Sequence, residues 1–357
     1  MTDTLRNTCE LFERNRAAIS KKFNFEKPLM SIVAGLIFAG AGKEADVEKL
    51  AECRKILNRH TGLFSQYRET VKLALLSEMA MSGDPEQYIE DVKTACHKLR
   101  RGKLADNPYM VLAAMLLCEL GRQYDADEVV EKHNEIMKRM AKQHPFLTNA
   151  EDISYVLLLA MTSRPVDSIV GDIEECMTYI KGILKRKIDA DTLQGLGEIL
   201  ALTDGDVRGK CDRIIGLYNA LDEKDANVGN GYVFSSLGIL LGVDEEPETI
   251  VSELIEVDEF LKGCKGFDEK SVEKKHRLMF AEILVAESLG AGSSIISNAF
   301  INSALGIIKA QQAAAMITIL SNVLPAVIGA VAERSESGEK DDSSQREQTS
   351  ESGEAEG

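Results

Sequence analysis

Hydrophobic positions along this chain fall into two alternating kinds of segment. One kind is apolar at nearly every position and rich in small residues: Ser31–Ala39, Leu73–Met81, Met110–Leu120, Ile153–Met161, Leu193–Leu202 and Phe234–Leu241. The other is amphipathic at helical spacing, as in Val47, Leu50, Ala51, Ile56 and Leu57, or Ile250, Leu254, Val257 and Leu261. Breaks after the amphipathic stretches fall at Gly62, Gly102, Gln143, Gly182, Glu223 and Gly263, and breaks after the apolar runs at Gly42, Gly83, Gly121, Thr162, Asp204 and Gly242. Both series repeat every 38 to 42 residues. Two interleaved series with one period define a two-part unit, a helical hairpin.

The apolar runs read as helices because Ala, Met, Leu and Glu dominate them over the β-branched and aromatic residues that strands favour. A helix that is apolar nearly all round has to be buried, and the partners in regular supply are its own amphipathic helix and the neighbouring hairpins. The expected fold is therefore all-α, an α-solenoid-like array of six to seven hairpins with an extended or curved outline. Residues 1–23 form a helical lead-in, 24–266 six hairpins, 267–332 an altered final repeat that caps the array with apolar helices, and 333–357 a disordered acidic tail. The period exceeds the 34 residues of a tetratricopeptide, and there is no tryptophan for that signature.

Charge follows the repeat. Turns into the amphipathic helices are acidic (Asp46, Asp84, Asp125, Asp206, Glu246) and the ends of those helices are basic. The macrodipole alone rationalises this pattern. The alternative is a functional basic edge for an anionic partner, with Lys98, Arg100, Arg101, Lys103, Lys185, Arg186 and Lys187 as its candidates.

Composition narrows the function classes. The 357 residues carry 58 acidic and 42 basic side chains, a net charge of -16, and only 5% aromatics, a poor surface for phosphates or stacked bases, so no nucleic acid partner is expected. Residues 1–24 lack the apolar core of a signal peptide. The seven cysteines are widely and irregularly spaced, with no Cys-x-x-Cys, which reads as reduced thiols in a cytoplasmic protein. Neither the cysteines nor the five histidines make a metal-binding spacing, so no metal or cofactor is implied, and no nucleophile motif suggests a catalytic residue.

Between Ala291 and Ala332 the only charge is Lys309. That segment packs as a terminal helical hairpin or as a homo-oligomer interface through 310–332, because its amides and Pro325 suit protein contact better than lipid; membrane association of 293–332 is the alternative. The tail 333–357 has nine acids against three bases and a single hydrophobe, Ala355.

Carboxylates inside apolar runs are the best site candidates, because burying one is costly unless it is paired. Glu78, Glu119, Glu198, Glu282 and Glu287 qualify, and Glu78, Glu198 and Glu282 share a depth in their helices that would let them face one groove with Arg68 or Arg277 opposite.

The runs Gly62-Leu63-Phe64-Ser65 with Arg68, Arg277-Leu278-Met279-Phe280-Ala281 before Leu284-Val285-Ala286, and Ala310-Gln311-Gln312-Ala313-Ala314-Ala315-Met316 resemble a bacterial domain-of-unknown-function family, DUF4003. The resemblance implies a mostly helical cytosolic protein and carries over no activity, substrate or ligand residue. The leading functional expectation is a non-enzymatic scaffold whose groove binds a protein or peptide. The alternatives are an enzyme or small-molecule binder using groove carboxylates, and a membrane-associated scaffold.

Overall fold

The computed structural model describes residues 1–289 apart from 27, 64, 70, 103–107, 146, 148–151, 185–187, 203–204, 227, 268–271 and 273. The expectations for 291–332 and 333–357 lie outside the described residues. Among those described, every regular element is a helix. Seven are amphipathic: α1 (Asp3–Lys22), α3 (Val47–His60), α5 (Pro85–Arg101), α7 (Ala126–Gln143), α9 (Val166–Ile183), α11 (Val207–Glu223) and α13 (Pro247–Gly263). They alternate with α2 (Pro28–Gly40), α4 (Lys72–Met81), α6 (Pro108–Glu119), α8 (Ile153–Met161), α10 (Ala190–Leu200), α12 (Tyr232–Ser236, continued as a 3-10 segment Leu237–Gly242) and α14 (Lys274–Leu289). The odd helices bury one stripe; α2 buries every residue from Met30 to Ala39.

Local signals set the boundaries. Asp46 accepts the N–H groups of Glu48 and Lys49 at the start of α3, Asp84 those of Glu86 and Gln87 at the start of α5, and Asp206 that of Gly209 at the start of α11, so three of the acidic turns are side-chain N-caps, whereas Asp125 and Glu246 make no such bond. At the C-termini of α2 and α6, Gly42 and Gly121 both take φ of +63°, which lets the next N–H reach back to Phe38 C=O (2.9 Å) and Leu117 C=O (2.7 Å).

Each odd helix packs along the even helix that follows it, most extensively in the pairs α1–α2, α9–α10, α5–α6 and α13–α14. The hairpin is thus amphipathic helix first, apolar helix second, and the N-terminal stretch supplies α1 of the first pair. Two glycines let backbones approach: a Cβ on Gly35 would lie 3.0 Å from the Arg16 backbone of α1, and one on Gly197 would lie 3.1 Å from the Ile173 carbonyl of α9. Gly197→Ala is expected to destabilise the chain by about 1–3 kcal/mol through overpacking, read by urea denaturation.

The even helices form an inner wall in the order α2, α4, α6, α8, α10, α12, α14, the turn Gln66–Arg68 packing against both α4 and α6. The odd helices follow one another outside it. The ends then meet, which corrects the expectation of an extended or curved array. Helix α14 packs against α1 and α2 as well as α12 and α13. Phe267, ahead of α14, stacks edge-on between Phe12 of α1 (5.9 Å) and Phe280 of α14 (6.2 Å), with the Arg16 guanidinium 5.6 Å from its ring. The Met1 ammonium sits against Glu253 and Glu256 of α13. Seven hairpins therefore close into a double ring: the last hairpin buries its open face on the first, where an open array would leave it to a cap.

Polar contacts between consecutive outer helices link residues 25 to 33 apart, about ten fewer than the period. Each outer helix thus leans its middle or C-terminal half on the start of the next. Asn15 bonds Lys43 C=O and Ala45 N–H, Lys98 bonds Gln123 and Tyr124 C=O, Lys132 bonds Thr162 C=O, and Arg213 bonds Val243 and Glu245 C=O. Lys22–Glu48, Arg59–Glu86 and Arg139–Asp167 add ion pairs. In these three pairs a basic helix end meets the acidic start of the next outer helix.

Candidate functional site

The inner wall carries one buried hydroxyl, Ser31, on α2 and further buried polar groups on α4, α10, α12 and α14. On α10, Gln194 and Glu198 lie one turn apart and share a face; the Gln194 amide donates to Glu198 Oε1 at 3.2 Å. Burial, followed by the negative charge of Asp152 ahead of α8, pushes the Glu198 carboxyl well above its ordinary range. On α14, Glu282 is 1% exposed and accepts the Ser236 hydroxyl of α12 on Oε2; burial raises it to about 8. The adjacent Ser235 donates to Thr192 C=O of α10 at 2.8 Å. A polar stripe thus crosses three neighbouring inner helices. Three of its atoms, Gln194 Oε1, Glu198 Oε2 and Glu282 Oε1, are buried and have no hydrogen-bond partner among the described residues.

Glu78 on α4 is 3% exposed and lies near Tyr88 of α5, whose hydroxyl is raised well above its usual value by burial and by Glu119 and then Glu78. Glu119, the last residue of α6, is itself raised by burial. This second polar group stands on the opposite half of the chain from the α10–α12–α14 stripe.

The arginines expected opposite the carboxylates are used elsewhere. Arg68 closes the C-terminus of α3, donating to Thr61 Oγ1 (3.0 Å), Asn58 C=O (2.6 Å) and Thr61 C=O (2.5 Å). Arg277 faces α13, where Nε donates to Asp258 Oδ1 at 2.7 Å and Nη2 to Oδ2 at 3.3 Å, both side chains being buried. Arg277 and Glu282 are five positions apart on α14 and so point about 140° from one another. Among the described residues no guanidinium bonds Glu198 or Glu282, and burial raises both carboxyls above their ordinary range, which favours the protonated form of each.

Of the basic-edge candidates, Lys98 is committed to the turn before α7, Arg100 and Arg101 end α5 on the exposed side, and Lys103, Lys185, Arg186 and Lys187 lie outside the described residues. Sequence reasoning passed over Asp152, Gln194, Ser235, Ser236 and Asp258; polar residues one turn from Glu198, and the Ser-Ser pair inside an apolar run, were the available signals. Among the described residues no group of His, Cys, Asp and Glu could hold a metal ion, and no helix is long and apolar enough to cross a membrane.

No curated protein and no solved structure matches the chain. The segments Gly62–Arg68 and Arg277–Ala286, which carried the family resemblance, are the turn between α3 and α4 and the core of α14. A family model described as "Protein of unknown function (DUF4003)" matches residues 15–313, most of the ring, and the chain belongs to that family.

Proposed function

We propose that the protein is a non-enzymatic binder of a small, polar, uncharged molecule held against the α10–α12–α14 stripe. One observation carries this reading: three buried polar atoms without a hydrogen-bond partner among the described residues, Gln194 Oε1 and Glu198 Oε2 on α10 and Glu282 Oε1 on α14, the two helices that flank α12. Buried polar groups are normally hydrogen-bonded, and each orphan costs about 1–3 kcal/mol, so three of them on the helices either side of α12 fit groups kept for a ligand. With burial disfavouring the charged form of both carboxyls and no cationic side chain bonded to them among the described residues, an anionic ligand would be poorly held. The reading that a peptide lies in an open groove loses support because α14 occupies the gap between the ends of the array.

The test is mass spectrometry of small molecules released when the purified full-length protein is denatured. A polar molecule released stoichiometrically from the wild type and lost from the Glu198→Leu/Glu282→Leu variant supports the reading. Absence of any such molecule, with the double variant simply more stable, contradicts it.

A second reading, a protein-binding scaffold, is favoured by exposed apolar side chains. Phe25 (98% exposed), Leu63 (72%) and Ile183 (43%) all sit where an outer helix hands over to its inner partner. Phe25→Ser/Leu63→Ser/Ile183→Ser is expected to retain the fold by circular dichroism and to lose any protein that co-purifies with the wild type. A cytoplasmic setting fits the seven cysteines, all of them thiols outside any disulfide.

A further inference from the structure

Five inner helices are buried on more sides than their neighbours account for. Buried residues run without a break through 30–39 of α2, 73–80 of α4, 110–117 of α6, 155–161 of α8 and 278–286 of α14. At about 3.6 residues per turn, each run covers the full circumference of its helix, including the side that faces the middle of the ring. Behind each inner helix stands its outer partner, and its ring neighbours stand on either side. Among the described residues there is no extensive packing between inner helices that are not neighbours, which leaves the inward side to another part of the chain. Seven helices spaced about 8–10 Å apart in a ring stand about 9–11.5 Å from their common axis. That is close to the packing distance between two helices, so the middle of the ring has room for one more helix and for little else.

We propose that residues 295–308 of the same chain are the occupant, a helix that runs along the axis of the ring and packs against the inward side of the wall. The chain leaves the wall at Leu289, the end of α14, which is itself an inner helix, so the residues that follow start at the rim of the inner space. A helix enclosed by an apolar wall has to be apolar all round, and between Ala291 and Ala332 the only charge is Lys309. Length agrees with depth. Helix α2 has 13 residues, about 20 Å, and residues 295–308 make a helix of about 21 Å. One pass through the ring therefore brings Lys309 to the far rim, where its ammonium meets water. Ile295, Ile296, Phe300, Ile301, Leu305, Ile307 and Ile308 supply the apolar surface, while Ala299, Ser303, Ala304 and Gly306 keep the helix slender. The axial helix also shuts bulk water out from the stripe on α10, α12 and α14, but the inference does not rest on a ligand there.

Two measurements on the full-length protein test this. Hydrogen exchange of the wild type should find the amides of 295–308 exchanging at least about 100-fold more slowly than those of 333–357. Replacement of Phe300 by the photo-cross-linker p-benzoylphenylalanine, in protein mixed with isotope-labelled wild type before irradiation, then identifies the neighbour. Cross-links to peptides of α2, α4, α6 or α8 within the same chain support the axial helix. Cross-links to the labelled second copy would make the segment an interface between copies, and cross-links to added lipid vesicles would make it a membrane contact; either result, or fast exchange through 295–308, would overturn the proposal.

Discussion

Stability is expected to fall steadily as pH rises from 4.5 to 8, and Glu282→Gln to remove much of that fall. Glu282 is fully enclosed between α12 and α14, and burial raises its carboxyl from 4.5 to about 8. The folded state therefore keeps a proton that the unfolded chain releases near pH 4.5. The favourable term is fully present below the unfolded value, shrinks by about 1.4 kcal/mol for each pH unit above it, and is gone once pH passes the folded value. Relaxation of the helix pair moderates the loss, which should still reach a few kcal/mol. Glu198, shifted in the same direction, adds to the slope. In the Glu282→Gln variant the amide oxygen still accepts from Ser236 and nothing titrates at that position, so chemical denaturation should find the variant near wild type at pH 5 and clearly more stable at pH 8. A parallel decline in both proteins would mean that the Glu282 carboxyl reaches water.

The second large effect lies within the last hairpin. Arg277 and Asp258 join α14 to α13 through a two-pronged pair, and the arginine also reaches Phe267 C=O at 3.4 Å, the residue that stacks on Phe12 of α1. Both side chains are buried, so removing one strands the other's charge in a dry interior. Arg277→Met is expected to cost about 3–5 kcal/mol, while Arg277→Met with Asp258→Leu should recover most of it, because two apolar groups of similar volume leave nothing unpaired. A double-mutant cycle in urea separates the outcomes: equal losses in the single and double variants would show that the arginine acts through its packing rather than its charge.

The succession of helices was legible because its punctuation is local. Gly42 and Gly121 stop helices through their own φ angles, Asp46 and Asp84 start them through their own side chains, and a period follows from any such series. The buried carboxyls were legible too, since Glu78, Glu198 and Glu282 interrupt apolar runs. What lay beyond reach was non-local. Nothing near Met1 announces Glu256, and nothing near Phe12 announces Phe267, yet those contacts decide between an open row and a ring. The order within the hairpin was hidden for a related reason: every apolar helix is flanked by two amphipathic ones, and close approaches such as Gly197 on Ile173 choose between them. Arg277 misled because charge and depth suggested a partner for Glu282, whereas helical geometry turns the two side chains apart.

Closure of the ring distinguishes this fold from an open row of hairpins, and one distance tests it. Spin labels on Asp3→Cys of α1 and Glu259→Cys of α13, both at exposed positions, would be placed in full-length protein whose half-buried Cys118 and Cys264 are changed to serine. With the start of α1 seated on α13, pulsed dipolar spectroscopy should return one narrow distribution below about 25 Å, whereas an open row of hairpins stepping about 10 Å each would return about 60 Å and contradict closure.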